Sequence, residues 1–202
     1  MKPILVTAAG NSENQDRGLV VCDGPQTVLC VADGAGGLSG GREAAIMAVE
    51  FVRRNVSLVT NTESCVQLLC RMDAAIAQDS AAGETTCVLV VVTQTEMIGA
   101  SVGDSGAWLI TENGVLLDLT QGQQRKPFIG SSAAWPVPFV HPNQAGTLLL
   151  ATDGLLKYAS PERIIAVCRE QPTELAAQRL IELARYQSGA LPDDVTIILT
   201  RL

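Results

Sequence analysis

Two kinds of segment follow one another along this chain: short apolar runs bounded by Gly, Pro and Asp, and longer stretches whose apolar residues recur every three or four positions. Residues 3–9 (PILVTAA) and 26–32 (QTVLCVA) are of the first kind, and Asp23-Gly24-Pro25 before the second has turn chemistry, so both predict strands. Beyond a Gly-rich stretch at 33–41 (DGAGGLSGG), Ala45, Ile46, Val49, Val52 and Val56 fall at helical spacing and predict a helix over 42–56. Thr62-Glu63 opens a second helix, with Val66, Leu69, Cys70, Ala74, Ile76 and Ala77 near the same period, which ends in the small-residue turn SAAGE at 80–84.

From 85 to 119 the period shortens. TTCVLVVVTQ, EMIGASVGD and SGAWLITENGVLLDL predict a meander of antiparallel strands, with Glu112-Asn113-Gly114 as a hairpin turn. Residues 120–145, rich in Gln, Pro, Ser and Gly, keep no period and predict a loop with one irregular edge strand. TLLLATD at 147–153 predicts a strand. Ser160 is a good N-cap and Pro161 fits the first helical position, which predicts a helix from 161 to about 170. After Pro172, TELAAQRLIELARYQS predicts another helix, and PDDVTIILTRL a closing strand. Helices that come in sequential pairs between groups of strands imply two stacked sheets with helical layers outside, rather than an alternating βαβ fold. No repeat or break in composition divides the chain, so one domain over 1–202 is expected.

Of the 202 residues 47% are hydrophobic, enough for a continuous core, while aromatics are only 3%, so Val, Leu, Ile and Ala must fill it. The formal charge of −7 argues against nucleic acid or an anionic membrane as partner. It also has a second possible source, Asp residues gathered in a metal site. The six cysteines show no CxxC pairing and mostly sit in apolar runs, as buried residues of a reducing compartment do. The first residues (MKPILVTAAGNSEN) carry too short an apolar stretch for a signal-peptide core, and no segment reaches membrane-spanning length. A cytoplasmic protein is the expectation.

Four aspartates stand at ends of apolar β-runs: Asp33 after VLCVA, Asp104 after IGASVG, Asp153 after LLLAT, and Asp193, which with Asp194 precedes VTIILT. A single Asp-Gly after a strand is usually only a turn. Four in the same setting can converge at one edge of a sheet, where hard divalent cations would neutralise them. Oxygen-only ligation favours Mg²⁺ or Mn²⁺ over zinc, since no Cys or His pair of ligand spacing is present. The stretch DGAGGLSGG lacks the Gly-Lys-Ser/Thr ending of a P-loop and the GxGxxG spacing of a dinucleotide site.

NQD at 14–16, ADGAGG at 32–37, ETT at 84–86, SVGDSGAWL at 101–109, LLLATDGL at 148–155 and DDVTIIL at 193–199 occur in the order seen in type 2C protein phosphatases. The resemblance spans about residues 11–199. It implies an α+β fold, a four-layer αββα sandwich of two antiparallel sheets flanked by helix pairs, with a metal cluster at one end. Carried over residue by residue, Asp33 should bridge two Mn²⁺ or Mg²⁺ ions, the Gly34 carbonyl should touch one, and Asp153 and Asp193 should complete the other site. Asp16 would join the metal shell or orient a bound water, and Asp104 would serve a third, weaker ion with Asp153. Metal-activated water would then attack the phosphoserine or phosphothreonine of a regulatory protein, without a covalent phosphoenzyme. Compact members of that family often oppose a kinase in signalling circuits.

Three departures stand out. Asn11 occupies the place of an Arg that grips substrate phosphate in many members, and a neutral side chain cannot form a bidentate charged pair. Gln15 replaces an acidic residue and brings an oxygen without charge. The region between Asp118 and Gly146 is short where the family has a mobile flap, which implies an open site suited to a folded protein substrate. Arg42, near the start of a helix just after the Gly-rich loop, could replace the missing Arg, although a solvated helix-start Arg is the commoner case. His141, the only histidine, precedes Pro142 in a loop, as structural histidines do. Ser39 and Ser105 have no His partner for a Ser-His-Asp hydrolase. Trp108, Trp135 and Phe139 are expected to cover core or edge surface. Three functions remain open: an active protein phosphatase, a pseudophosphatase that binds a phosphoprotein without turnover, and a metal-dependent hydrolase of small phosphate esters.

Overall fold

Most of the apolar runs become strands covered on both faces. The computed structural model describes residues 2–10, 12–35, 39–170 and 172–202. One five-stranded sheet has the order β1 (Ile4–Ala8), β10 (Val195–Arg201), β9 (Gly146–Ala151), β6 (Gly106–Thr111) and β7 (Leu116–Asp118). The other has the order β2 (Asp16–Asp23), β3 (Gln26–Asp33), β4 (Cys87–Val92), β5 (Glu96–Val102) and β8 (Val137–Pro142). Every pairing is antiparallel.

Along β3 and β4 alternate residues serve two different cores. Cys30 and Leu89 pack with helices α1 (Gly41–Arg54) and α2 (Thr62–Ile76), while Leu29, Val31, Val88 and Val90 pack against the other sheet. Helices α3 (Asp153–Leu156), α4 (Pro161–Glu170) and α5 (Thr173–Ala184) cover the first sheet over Leu149, Ala151 and Ile197. The result is the expected αββα order of layers. Because each such strand has no solvated face, it reads as an unbroken apolar run although the sheet is antiparallel. Each fully buried Val or Leu contributes about 1.5–3 kcal/mol relative to exposure, and an ion buried among them would be costly. Charged chemistry is thereby confined to the ends of the sheets.

The helices begin where local chemistry directs. Asn61 and Ser64 form a reciprocal capping box at the start of α2. Helix α1 follows Gly40, whose φ of 84° is left-handed, and has Glu43 in its first turn and Arg53 and Arg54 in its last, matching the helix dipole.

Four features differ from the expectations. Strand β2 is not announced by the sequence pattern, since Gly18 and flanking charges blur its period; it forms a hairpin with β3 through Gly24 (φ 57°), the turn that Asp23-Gly24-Pro25 predicts. The meander over 85–119 is divided between the sheets. β5 pairs with β8 and β6 with β9, the chain crossing over at 103–105, where Gly103 has φ 107°. Asp153 does not end a strand but opens the short helix α3. Helix α5 stops at Ala184, with Arg185 extended, short of the predicted 188. Among the described residues no helix is long and apolar enough to cross a membrane.

Candidate active site

Antiparallel pairing sets the start of one strand beside the end of its neighbour, and this is how residues distant in sequence meet. Asp16, first in β2, is the register partner of Asp33, last in β3. In the other sheet Asp153 follows the end of β9, and Asp193 and Asp194 precede the start of β10, its antiparallel neighbour. Asp104 lies on the crossover between β5 and β6. A cleft of about 750 Å³ opens between these ends, lined by Asp33, Gly34, Asp104, Asp153, Asp193 and Asp194. Asp16, only 2% exposed, is not part of that lining and borders an adjacent groove.

Hydrogen bonds fix the backbone around these carboxylates. The Asp33 N–H donates to Thr86 Oγ1 at 3.0 Å, and the Asp33 carbonyl accepts from Thr85 Oγ1 and the Thr86 N–H, both at 2.9 Å. Ser105 shares a 2.7 Å hydroxyl bond with Thr86, a structural partnership rather than a nucleophile's. Thr152 Oγ1 donates to Asp16 Oδ2 at 2.7 Å and accepts from the Thr196 N–H at 2.9 Å. Asp194, 5% exposed, accepts from the Gly10 N–H through one oxygen (2.8 Å) and from the Gln15 N–H through the other (2.7 Å). The 193–194 backbone runs so close to its neighbours that a Cβ on Gly10 would collide with the Asp193 carbonyl and one on Gly154 with that of Asp194.

Negative charge accumulates here, and the ion pairs of Arg125 with Asp104 and of Lys157 with Asp153 offset only part of it. Burial, more than any other cause, pushes the Asp16 carboxyl up to about 7, with Asp194 and Asp153 adding to the rise against the bonds from Thr152 and Thr196. Burial also raises Asp33 well above the usual carboxylate range, helped by Asp16, Asp153 and Asp193. Asp153 is raised by burial and by Asp104 and Asp193, with Lys157 opposing. Asp33 and Asp153 act on each other, each ionised carboxylate disfavouring ionisation of its neighbour.

The donors suit hard divalent cations. Asp16 Oδ1 and Gln15 Oε1 are buried with no hydrogen-bond partner among the described residues, as oxygens reserved for a ligand would be. Among the described residues no group of three or more acidic, His or Cys side chains is gathered tightly enough to hold an ion unaided. Waters and the Gly34 carbonyl would have to complete the shell, the usual habit of Mg²⁺.

Of the other predicted site residues, Asn11 lies outside the described residues, as do positions 36–38 of the Gly-rich loop. Arg42 does not line the acidic cleft; it borders a neighbouring groove with Asp16, its guanidinium shared between Glu13 (3.1 Å) and Glu43 (3.2 Å). His141, in β8, is half-buried, its Nδ1 lying 2.8 Å from the Pro142 carbonyl oxygen, and it does not line the cleft. Trp108 and Phe139 pack on core clusters, whereas Trp135 is 69% exposed and covers no core. Sequence reasoning missed the bracing role of Asp194, which the doubled Asp193-Asp194 signals, and the cleft cations Arg125, Lys126 and Lys157. No periodicity marks the first two, which lie in an irregular connection.

Comparison with known proteins agrees with this geometry. The family model described as Protein phosphatase 2C matches residues 7–185. A curated relative, "Probable protein phosphatase 2C 33" of Oryza sativa subsp. japonica, is 27% identical over 232 residues, which cover 85% of this chain and 52% of that protein. The chain thus spans about half the length of that relative. Among solved structures, Serine/threonine phosphatase Stp1 from Staphylococcus aureus is similar with a TM-score of 0.83 and 20% identity, covering 100% of this chain and 94% of that one. The catalytic domain of serine threonine protein phosphatase PstP in complex with 2 manganese ions has a TM-score of 0.80 and 19% identity, with 98% and 96% covered. With the family model spanning most of its length, this chain belongs to the protein phosphatase 2C family.

Proposed function

We propose that this chain is a metal-dependent protein phosphatase that hydrolyses phosphoserine or phosphothreonine on a protein substrate. The observation that carries the reading is the cluster of Asp33 and Asp153 in an open cleft with the buried Asp16 next to them, all three carboxyls raised by burial and by neighbouring carboxylates. Such a cluster is unfavourable by itself and becomes favourable with a divalent cation.

Asp33, the Gly34 carbonyl, Asp153 and Asp193 would hold two principal ions, Mn²⁺ or Mg²⁺, and Asp104 with Asp153 a third and weaker one. When bound, the ions supply positive charge against which phosphoryl oxygens and attacking water can become more negative. Thr85 and Thr86 hold Asp33 in place through its backbone. Thr152 fixes one oxygen of Asp16 and leaves the other open toward a ligand or an ordered water. The open cleft admits a phosphorylated side chain carried on a folded protein.

Phosphate release from a phosphothreonine peptide and from an aryl phosphate, each with and without Mn²⁺, tests the reading. Mn²⁺-dependent release from the peptide supports it. Peptide binding without release would establish a pseudophosphatase, and release from the aryl phosphate alone a small-ester hydrolase.

A further inference from the structure

Arg125, Lys126 and Lys157 line the same cleft as the carboxylates. A site that only holds cations gains nothing from cationic side chains close by, because each repels a bound divalent ion. Their presence points to an anionic ligand. Lys157 has a local partner, its Nζ standing 3.6 Å from Asp153 Oδ2 one helical turn away. Arg125 and Lys126 instead belong to the connection between β7 and β8.

That connection is fastened on both sides. Before Arg125, Gln123 Nε2 donates to the Ser105 carbonyl at 2.5 Å, and the Gly103 N–H donates to the Gln124 carbonyl at 3.2 Å. After Lys126, Thr85 and Ile129 exchange backbone bonds of 2.9 and 3.0 Å. The buried Asp73 carboxylate accepts from the N–H groups of Gly130 (2.7 Å), Ser132 (3.1 Å) and Ala134 (3.2 Å). A backbone already ordered loses little entropy when its side chains bind. Arg125 is oriented as well, its Nε donating to Asp104 Oδ2 at 2.7 Å. This bond uses only Nε, and among the described residues both terminal nitrogens of the planar guanidinium remain to bind an anion.

We propose that Arg125, oriented by Asp104, and the adjacent Lys126 form the phosphate-gripping subsite of this cleft, recognising the phosphate monoester of the substrate. The proposal rests on the phosphatase reading above and names the cations that supply what the neutral Asn11 cannot. Arg125 offers a fork to two phosphate oxygens, and Lys126, whose Nζ stands 5.3 Å from the Phe128 ring centre, adds a point charge. With its side chain 69% exposed, Arg125 acts partly through water, so its removal weakens binding without abolishing it.

The test is calorimetric titration of inorganic phosphate into Mg²⁺-loaded protein, beside steady-state hydrolysis of a phosphothreonine peptide. The proteins are wild type, Arg125→Ala, Arg125→Lys and Arg125→Ala with Lys126→Ala. Arg125→Ala is expected to weaken phosphate binding and raise KM about tenfold, with kcat changed by less than about threefold. Arg125→Lys should recover part of the loss, and the double variant should lose more, all with unchanged melting temperature. Phosphate affinity and KM within about twofold of wild type in the double variant, or a loss confined to kcat, would overturn the proposal. If wild type releases no phosphate yet binds inorganic phosphate in an Arg125-dependent way, the phosphatase reading fails and the subsite stands.

Discussion

Where β9 ends and β10 begins, Asp153, Asp193 and Asp194 crowd together with Asp33 and Asp104 around the cleft. At the opposite end of the same two strands, a groove of about 410 Å³ holds Glu112, Arg169, Glu170 and Arg201. There acidic and basic side chains are equal in number and the arginines are used structurally, whereas in the cleft carboxylates outnumber Arg125, Lys126 and Lys157. Arg169 Nε donates to the Glu112 carbonyl at 3.2 Å, and an Arg201 terminal nitrogen donates to the Cys168 carbonyl at 3.0 Å. Both ends are hollow, and both are made of strand termini where the layered core leaves room for charge. What separates them is compensation: one end balances its charges, and the other leaves buried carboxylates raised by burial and by one another. A deficit of positive charge, more than a cavity, marks the site.

The largest effect should come from removing the carboxylate at the centre of that deficit. Asp33→Asn is expected to lower Mn²⁺-dependent phosphate release from a phosphothreonine peptide by about three orders of magnitude. The melting temperature of the metal-free protein should stay the same or rise, since a repelling charge is gone. Asp153→Asn should be nearly as severe in the same assay. Activity retained by Asp33→Asn would break the contrast between the two ends.

Next in size are the braces around the site. Thr152→Val deletes the hydroxyl that serves both Asp16 and the Thr196 N–H, leaving two buried groups unpaired at about 1–3 kcal/mol each. Asp73→Ala removes the acceptor of three backbone N–H groups, at a cost of about 2–3 kcal/mol, and should raise KM by loosening the segment that carries Arg125. Denaturant unfolding measures both losses, and KM distinguishes the second from the first.

The deficit also predicts how stability varies with pH. The folded-state carboxyls of Asp16, Asp33 and Asp153 lie above their ordinary value of 3.8, so the native state binds protons more tightly than the unfolded chain. Their stabilising contribution is complete below about 3.8 and is lost as pH rises through the folded values, which for Asp16 is about 7. Superimposed on the titration of the other groups, metal-free protein should therefore lose stability between pH 4 and 7 relative to Asp16→Asn, and saturating Mn²⁺ should remove that difference. Thermal unfolding across this range, with and without metal, checks it. The smallest effect is expected at the opposite groove. Arg169→Ala should change stability by less than about 0.5 kcal/mol and leave phosphate release unaltered.

The sandwich was legible because strands buried on both faces and paired helices leave strong local patterns, and Asp33, Asp104, Asp153 and Asp193 were legible because each breaks an apolar run with a charge. Strand β2 was hidden, since Gly18 and its half-buried neighbours give no clean alternation. The split of the meander was hidden for another reason: β5 and β6 have the same local pattern whether they pair with each other or with β8 and β9, and only long-range packing decides. Arg125 and Lys126 gain their place from bonds to Ser105, Gly103 and Asp104, about twenty residues earlier in the chain, which no local window contains.

Isothermal calorimetry of Mn²⁺ binding to wild type, Asp33→Asn and Arg169→Ala in one buffer asks whether the carboxylate cluster holds metal. Saturable binding of at least two ions per chain is expected in wild type and in Arg169→Ala, with loss of the tighter sites in Asp33→Asn. Absence of saturable binding in wild type, or undiminished binding in Asp33→Asn, would show that these carboxylates do not form a metal site.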